Sequence, residues 1–510
     1  MAFDPTIYGL TGGTNAPVFA LTPDNLYSSG SVDRPYITGW VATTYGSTVG
    51  NWNFTIPSLP RVPPVLSPLG GNHASFGQIF PGGPAYLQSV FTASSGINSA
   101  NCVLAGVIDC GRGFTAVAGS SGVIFDLSFG DLQLIRTQSG FLQLKGGVSQ
   151  YTSNIKLPAG PTPFALWCAS GDPASGIQIA VFGYPTESSN TIINSGNYEF
   201  GGNSKLAYLG VDFGNNVGFY GGIRCLYTWV KKVPGGGNWT TNDLLSVVTG
   251  LATTYNVQTS DSLLVVGGDS YGAGYKMSAG EGIAQTLANQ YPSKRILCLA
   301  RAGDTASGVL NNQLNGLLDS RNVAGMSAVN DKALLIFDGH NEILASQFGT
   351  HPTSSSYISY KNIYTASGVA SGYRIIWSDI NPISNVNTDS TVVAYETQRS
   401  SYRNAIINSG TINAIKLNYC TQNTGLTPPD STGPGVRLVT SGSIFYRVYN
   451  GNLAAGIANW SLTSVDELHM GPSGWAVVLP YILNSLTIPV SFIGFPKVLN
   501  RLNVLQTIKF

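Results

Sequence analysis

Five apolar runs in the second half of the chain limit its fold most strongly. SLLVV from Ser262, RILCLA from Arg295, KALLIF from Lys332, RIIWS from Arg374 and INAIKL from Ile412 are almost continuously hydrophobic. A strand with one wet face alternates apolar and polar residues; a strand buried on both faces does not. Helical patterns fill the gaps: EGIAQTLANQY, ASGVLNNQLNGLLDS, SYISYKNIYTASGVA and VVAYETQRSSYRNAIINS. Strands alternating with helices are joined by right-handed crossovers, which gives a parallel sheet covered on both sides. Such a doubly wound α/β sheet binds ligands at the carboxyl ends of its strands. The residues just after each run are therefore where chemistry is expected.

The first half has a different rhythm. Its apolar runs are short and broken by Gly, Ser, Asn and Pro, as in CVLAGVIDC (102–110), GVIFDLSF (122–129), FALWCAS (164–170), IQIAVFGY (177–184) and GFYGGIRCLYTWV (218–230). Short strands with frequent turn signals predict an all-β sandwich over 71–258. Pro57, Pro60, Pro63, Pro64 and Pro68 disfavour regular structure through most of their stretch. Residues 1–70 therefore read as an arm or linker for attachment or oligomerisation. The β region closes on a helix. Thr240, Thr241 and Asn242 can cap it, and Leu244, Leu245, Val248, Leu251 and Tyr255 follow at helical spacing.

Composition removes several classes of function. Charged residues make up 10% of the chain, and 26 basic against 25 acidic side chains leave a net charge of +1. Nucleic-acid binding through bulk positive charge is excluded on that balance. No run reaches the ~18 apolar residues that a membrane helix needs, so no membrane insertion is expected. The opening MAFDPTIYGL has no basic residue, and none comes before Arg34, so no Sec signal peptide is expected. Cys102, Cys110, Cys168, Cys225, Cys298 and Cys420 are scattered without a CxxC pair, and read as buried free thiols. Low charge with abundant Gly, Ser, Thr, Asn and Tyr associates with β-rich extracellular or virion proteins.

Four blocks carry chemistry. Gly267-Gly268-Asp269-Ser270-Tyr271 follows the first run, Arg301-Ala302-Gly303-Asp304-Thr305 the second, and Asp338-Gly339-His340-Asn341-Glu342 the third. Asp466-Glu467-Leu468-His469 precedes a last helical run, WAVVLPYIL. Together they offer a hydroxyl, a glycine amide, a carboxamide and an Asp/His pair, which suits acyl transfer. A serine hydroxyl needs a base to become a nucleophile. The imidazole needs a carboxylate to fix its tautomer, and the tetrahedral oxyanion needs preorganised donors. Of the histidines, His73 reads as structural or surface, His351 as a loop residue, and His340 as pocket lining or backbone support. His469 alone has an Asp three residues before it and a helix after it. No GxGxxG, P-loop or metal-ligand spacing occurs, so neither a metal nor an organic cofactor is expected.

GDS, Gly, GxN and DxxH in this order resemble the SGNH (GDSL) hydrolase family over residues 259–490. The resemblance implies a flavodoxin-like α/β/α fold with a five-stranded parallel sheet. It implies Ser270 as nucleophile, His469 as general base and acid, and Asp466 as the residue that orients His469. The Ser270 amide, the Gly303 amide and the Asn341 side chain would form the oxyanion hole. The chain departs from the family pattern at Tyr271, where Leu is usual, and at Glu342, where Asp is usual. A long insert (420–463) is a further departure, and a C-terminal tail (491–510) follows the family-like region. The passage Gly222 to Val230 with the helix after it resembles the end of concanavalin A-like (laminin-G-type) lectin sandwiches, a jelly-roll that implies glycan binding. The whole resembles esterases of phage tail spikes and fibres. It implies removal of O-acetyl or similar small acyl groups from a cell-surface polysaccharide by a virion or extracellular protein. A homo-oligomer such as a trimer, and other virion proteins as partners, are implied with it. A non-catalytic receptor-binding or structural virion protein with a degenerate hydrolase fold is the alternative. Because all four blocks follow Val257, a fragment starting there is expected to keep activity on small soluble esters.

Overall fold

The computed structural model describes residues 19–31, 34–44, 53–56, 64–67, 73–76, 86–92, 102–115, 121–127, 132–146, 149–168, 176–191, 204–212, 218–230, 239–274, 282–345, 352–380, 389–411, 413–417 and 472–487. Its contacts define two units. One comprises Met1–Leu263, Gly274–Cys298 and Asp319–Asn330; the other comprises Leu264–Ala273, Leu299–Leu318 and Asp331–Phe510.

The first unit is dominated by antiparallel strands. Cys102–Asp109 lies between Pro161–Cys168 and Gly221–Val230. Alternate residues of Cys102–Asp109 serve two cores, as the period-two geometry of a strand requires. Leu104 and Ile108 join one apolar cluster with Phe164, Leu166 and Leu226. Val103, Ala105 and Val107 join the other with Trp167, Trp229 and residues of the helix Thr241–Thr254. That helix starts where expected, with Thr240 and Asp243 forming a reciprocal capping box. Leu245, expected on its apolar face, is exposed; Val247 and Ala252 are buried instead.

Residues 1–70 were expected to be an arm, but their described segments between Phe19 and Ser67 include paired strands. Phe19–Leu21 pairs with Gly221–Val230, and Arg34–Val41 pairs with Asn53–Thr55 and Val65–Ser67. Leu21, Ile37, Trp40 and Phe54 are buried in the same cluster as Leu104 and Leu226. Val65–Ser67 is a strand among the prolines, and the Ile37 N–H donates to the Pro64 carbonyl at 2.7 Å. Pro64, having no N–H, still offers a carbonyl to the ladder, so proline here punctuates short strands without removing them.

Several polar groups of 282–330 find their partners within this unit. A bulge between Ile223 and Cys225 sets Arg224 out of register, and its Nε lies 2.7 Å from Asp109 Oδ2. Gln285 Nε2 donates to Asp109 Oδ1 at 3.2 Å. Arg295 donates to the Gly183 and Ala324 carbonyls, each at 2.7 Å, and covers the Tyr184 ring at 3.9 Å. Arg136 donates to the Cys298 carbonyl at 2.5 Å, and Lys156 pairs with Asp319 at 3.2 Å. Cys110, Cys225 and Cys298 are buried free thiols, as read from the sequence.

The second half contains the five expected strands: β1 (Ser262–Gly268), β2 (Lys294–Cys298), β3 (Asp331–Phe337), β4 (Arg374–Trp377) and β5 (Ala414–Lys416). They lie in the order β2-β1-β3-β4-β5. β3 and β4 are parallel, with Ala333 opposite Arg374, and β4 and β5 are parallel, with Ile375 opposite Ala414. This order reverses direction between β1 and β3, where doubly wound sheets place their ligands. The insert 420–463, the tail 491–510, and the Asp466 and His469 positions lie outside the described residues. Among the described residues no helix is long and apolar enough to cross a membrane.

A cut at Val257 would sever several of these contacts. Such a fragment would keep Arg295, Gln285 and the Cys298 carbonyl but lose Gly183, Asp109 and Arg136. The fragment would also expose the apolar surface and polar groups that the deleted strands cover. Residues 257–510 alone are expected to show no cooperative thermal transition by circular dichroism, while the full chain melts cooperatively; a sharp melt of the fragment would show that these partners are dispensable.

Candidate active site

The first block is shaped by a close backbone approach. Gly268 ends β1 at φ +113°, and a Cβ built on it would sit 1.7 Å from the Phe337 carbonyl oxygen. The Asp269 N–H donates to that oxygen at 2.6 Å. Only glycine fits this position, for its positive φ and for the space. The chain then turns through Asp269, whose Oδ1 accepts the Tyr271 N–H at 2.9 Å, into the short helix Ser270–Ala273. Ser270 is 7% exposed.

The second block is a turn in which the Asp304 N–H donates to the Arg301 carbonyl at 3.1 Å. Gly303 stands exposed at its tip with φ +94°, again a conformation that favours glycine. The third block follows β3. Asn341 Nδ2 donates to the Asp304 carbonyl at 2.7 Å, which fixes the carboxamide beside Gly303. A carboxamide nitrogen carries two hydrogens, so this bond leaves one to point elsewhere. Among the described residues, the Ser270 N–H and hydroxyl and the Gly303 N–H have no hydrogen-bond partner.

The three blocks are held together by side chains outside the expected catalytic set. His340 Nδ1 lies 2.9 Å from Asp269 Oδ2, and its ring stacks on Tyr271 with centroids 3.8 Å apart. The carboxyl of Glu342 accepts the Ala306 N–H on one oxygen and the Gly339 N–H on the other, the latter at 3.1 Å. Gln313 contacts both the Gly268 backbone and Asp304. Beneath them Asp338 accepts from Tyr357 at 2.9 Å and Tyr364 at 2.7 Å, and pairs with Lys361. Burial, with Asp338 second, pushes both phenols well above their ordinary range. Burial also raises the Glu342 carboxyl and Asp338 adds to it, while the Ala306 N–H opposes them.

Ser270, Gly303 and Asn341 are thus brought together through their loops, at the carboxyl side of β1, β2 and β3. Asp466 and His469 lie outside the described residues. His340, read from sequence as lining or support, is a buried partner of Asp269. Gln313 had no sequence signal beyond being a polar residue in a helical run. Among the described residues no group of three or more His, Cys, Asp or Glu side chains could hold a metal ion.

No family model matches the chain, and no curated protein matches it. Solved structures do resemble part of it. A GDSL-like lipase from Parabacteroides merdae ATCC 43184 is 14% identical with a TM-score of 0.31, over 44% of this chain and 96% of its own. Axe2, an acetylxylan esterase from Geobacillus stearothermophilus, is 10% identical with a TM-score of 0.30, over 46% and 97%. A GDSL-like lipase from Bacteroides thetaiotaomicron VPI-5482 is 11% identical with a TM-score of 0.29, over 44% and 87%.

Gly268→Ala tests the local geometry. The backbone conformation alone costs an alanine about 1–3 kcal/mol, and the Phe337 carbonyl must also move. The variant is expected to lose any Ser270-dependent activity and to melt several degrees lower in differential scanning calorimetry. A wild-type melt and wild-type rate would show that the close approach is not needed.

Proposed function

We propose that the chain is a serine esterase that removes O-acetyl or similar small acyl groups from a polysaccharide. The observation that carries this reading is the convergence of Ser270 with two backbone N–H groups, unpartnered among the described residues, and a carboxamide fixed beside them. In the proposed reaction Ser270 Oγ attacks the ester carbonyl carbon while His469 takes its proton. The carbonyl oxygen becomes an oxyanion facing the Ser270 N–H, the Gly303 N–H and the second Asn341 hydrogen. Collapse breaks the bond to the sugar oxygen, which receives the proton from His469, and leaves an acyl-enzyme. Water, deprotonated by His469, then releases the acid and restores Ser270. Asp466 holds the imidazole in the tautomer that accepts at the serine side.

The glycan class is supported by the polar composition and the β-rich first unit, taken as a lectin-like jelly-roll that grips polymer. The same composition supports a particle-borne, oligomeric protein, such as a phage tail component acting on a cell-surface glycan. Acetate release from an O-acetylated polysaccharide, and the mass of the assembly by light scattering, check these two points.

The central experiment is p-nitrophenyl acetate hydrolysis by wild type and Ser270→Ala. The variant should be inactive with an unchanged melting temperature. Full activity in the variant would sink the nucleophile assignment, and no hydrolysis by the wild type would favour a non-catalytic binding or structural protein. Asn341→Ala should lower kcat by about 10²–10³ through loss of one oxyanion donor; an effect confined to KM would remove that role.

The rate should also fall in acid. His469 must be neutral to accept the Ser270 proton, and an imidazole ordinarily titrates near ~6.5. Paired with Asp466 it rises and buried it falls, so kcat/KM should follow one ionisation between about pH 5.5 and 7.5, with the active form above it. A profile flat from about pH 4 to 9 would contradict a histidine base. EDTA should leave the rate unchanged, and zinc-restored activity after chelation would point to metal-assisted hydrolysis instead.

A further inference from the structure

Gln313 lies in none of the four blocks, yet it touches two of them. It closes the π-helical turn Val309–Gln313, which separates the short helices Ala306–Gly308 and Leu314–Leu317. π turns are rare and concentrate at functional sites. The Gln313 side chain is buried, and both of its amide hydrogens and its oxygen are engaged. Oε1 accepts the Gly268 N–H at 2.9 Å. Nε2 donates to the Gly268 carbonyl at 2.8 Å and to Asp304 Oδ2 at 2.7 Å. Gly268 stands two residues before Ser270, and Asp304 directly follows Gly303. One side chain therefore ties the backbone carrying the nucleophile to the turn carrying an oxyanion donor.

We propose that Gln313 is a positioning residue that sets the spacing between Ser270 and the Gly303 N–H. The proposal rests on the esterase reading above. The chemistry singles out a carboxamide of this length. A carboxylate could accept from Gly268 but could donate to neither the Gly268 carbonyl nor Asp304, and would repel Asp304. An aliphatic side chain would take this partner away from the buried Gly268 N–H and carbonyl, and would remove one donor from Asp304. Asn341 does not substitute for it, because its bond goes to the Asp304 main-chain carbonyl, whereas Gln313 holds the Asp304 carboxylate.

The test uses the full chain with Gln313→Glu, which keeps volume and acceptor, and Gln313→Leu, which keeps volume alone. Reactive serine is titrated with diisopropyl fluorophosphate, and p-nitrophenyl acetate turnover is then measured per titrated site. Kcat per site should fall about 10- to 100-fold, with KM within about threefold, because small misplacements of reacting groups are costly. Amide hydrogen exchange should quicken in peptides spanning 266–272 and 302–306 and stay unchanged in 374–380. Fewer titratable sites with an unchanged kcat per site would mean a merely structural role and would overturn the proposal. If Gln313→Leu does not fold, Gln313→Glu decides by the same criteria. Failure of the esterase reading shows separately, as a wild type that neither titrates nor differs from Ser270→Ala. Hydrogen exchange then decides alone: faster exchange confined to the two segments supports the positioning role, and unchanged exchange overturns it.

Discussion

The Asp269 N–H donates to the Phe337 carbonyl at 2.6 Å, and that bond joins the chain just past β1 to the end of β3. It fixes where the first strand leaves the sheet and so where Ser270 begins its short helix. The bond is possible because Gly268 has no Cβ to strike the same oxygen. With the turn fixed, the Asp269 side chain can reach forward to the Tyr271 N–H and across to His340. The third block is thereby registered against the first. The second is registered by Asn341, Glu342 and Gln313. Loops are ordinarily the mobile part of an α/β fold; here each is held by a side chain from another.

Charge is scarce in this chain, and much of it is internal. Asp109, Arg136, Lys156, Arg224 and Arg295 are all buried in the first unit. Buried charges are tolerated only with partners, and these take theirs from segments far apart in sequence. Arg224 meets Asp109, Arg136 meets the Cys298 carbonyl, and Lys156 meets Asp319. A composition of 10% charged residues therefore describes more than a weakly charged surface. Part of that charge specifies which segments belong together.

The α/β rhythm was legible because a continuous apolar run must be covered on both of its faces, and helices in the gaps supply the cover. All five runs became strands, and the helical gaps became Ile283–Gln290, the broken Ala306–Leu317 region, Ser354–Ala370 and Asp389–Asn408. The three loop blocks follow β1, β2 and β3 in the order in which the sequence presents them, and side chains such as Asn341 and Gln313 tie one to another. The described strands between Phe19 and Ser67 misled because proline was taken as a break, whereas Val65–Ser67 pairs with His73–Phe76 and with Arg34–Val41 despite the prolines around it. Gln313 and His340 were illegible for a related reason. A hydrogen bond across 45 or 71 residues leaves no local periodicity. Glu342 stood out in sequence only as a departure from the family pattern. Its two oxygens span the Ala306 and Gly339 N–H groups, a reach that accounts for the longer acid in terms of this chain's own loops.

Four acidic side chains crowd the three loops, Asp269, Asp304, Asp338 and Glu342, all buried, and burial with Asp338 pushes Glu342 toward its neutral form. Left bare, they would oppose any negative charge developing nearby, since Coulomb repulsion is strong where water is excluded. Each is instead committed to donors. Asp269 has His340 and the Tyr271 N–H; Asp304 has Gln313 and the Arg301 guanidinium 3.7 Å away. Asp338 has Lys361 and two phenols, and Glu342 has two backbone amides. Among the described residues, these acids do not take the N–H groups of Ser270 and Gly303 or the second Asn341 amide hydrogen, the donors that the proposed esterase reading directs at an oxyanion. The acids thus do two things at once. They position the loops, and by taking their own donors they leave the site's remaining N–H groups directed at whatever enters.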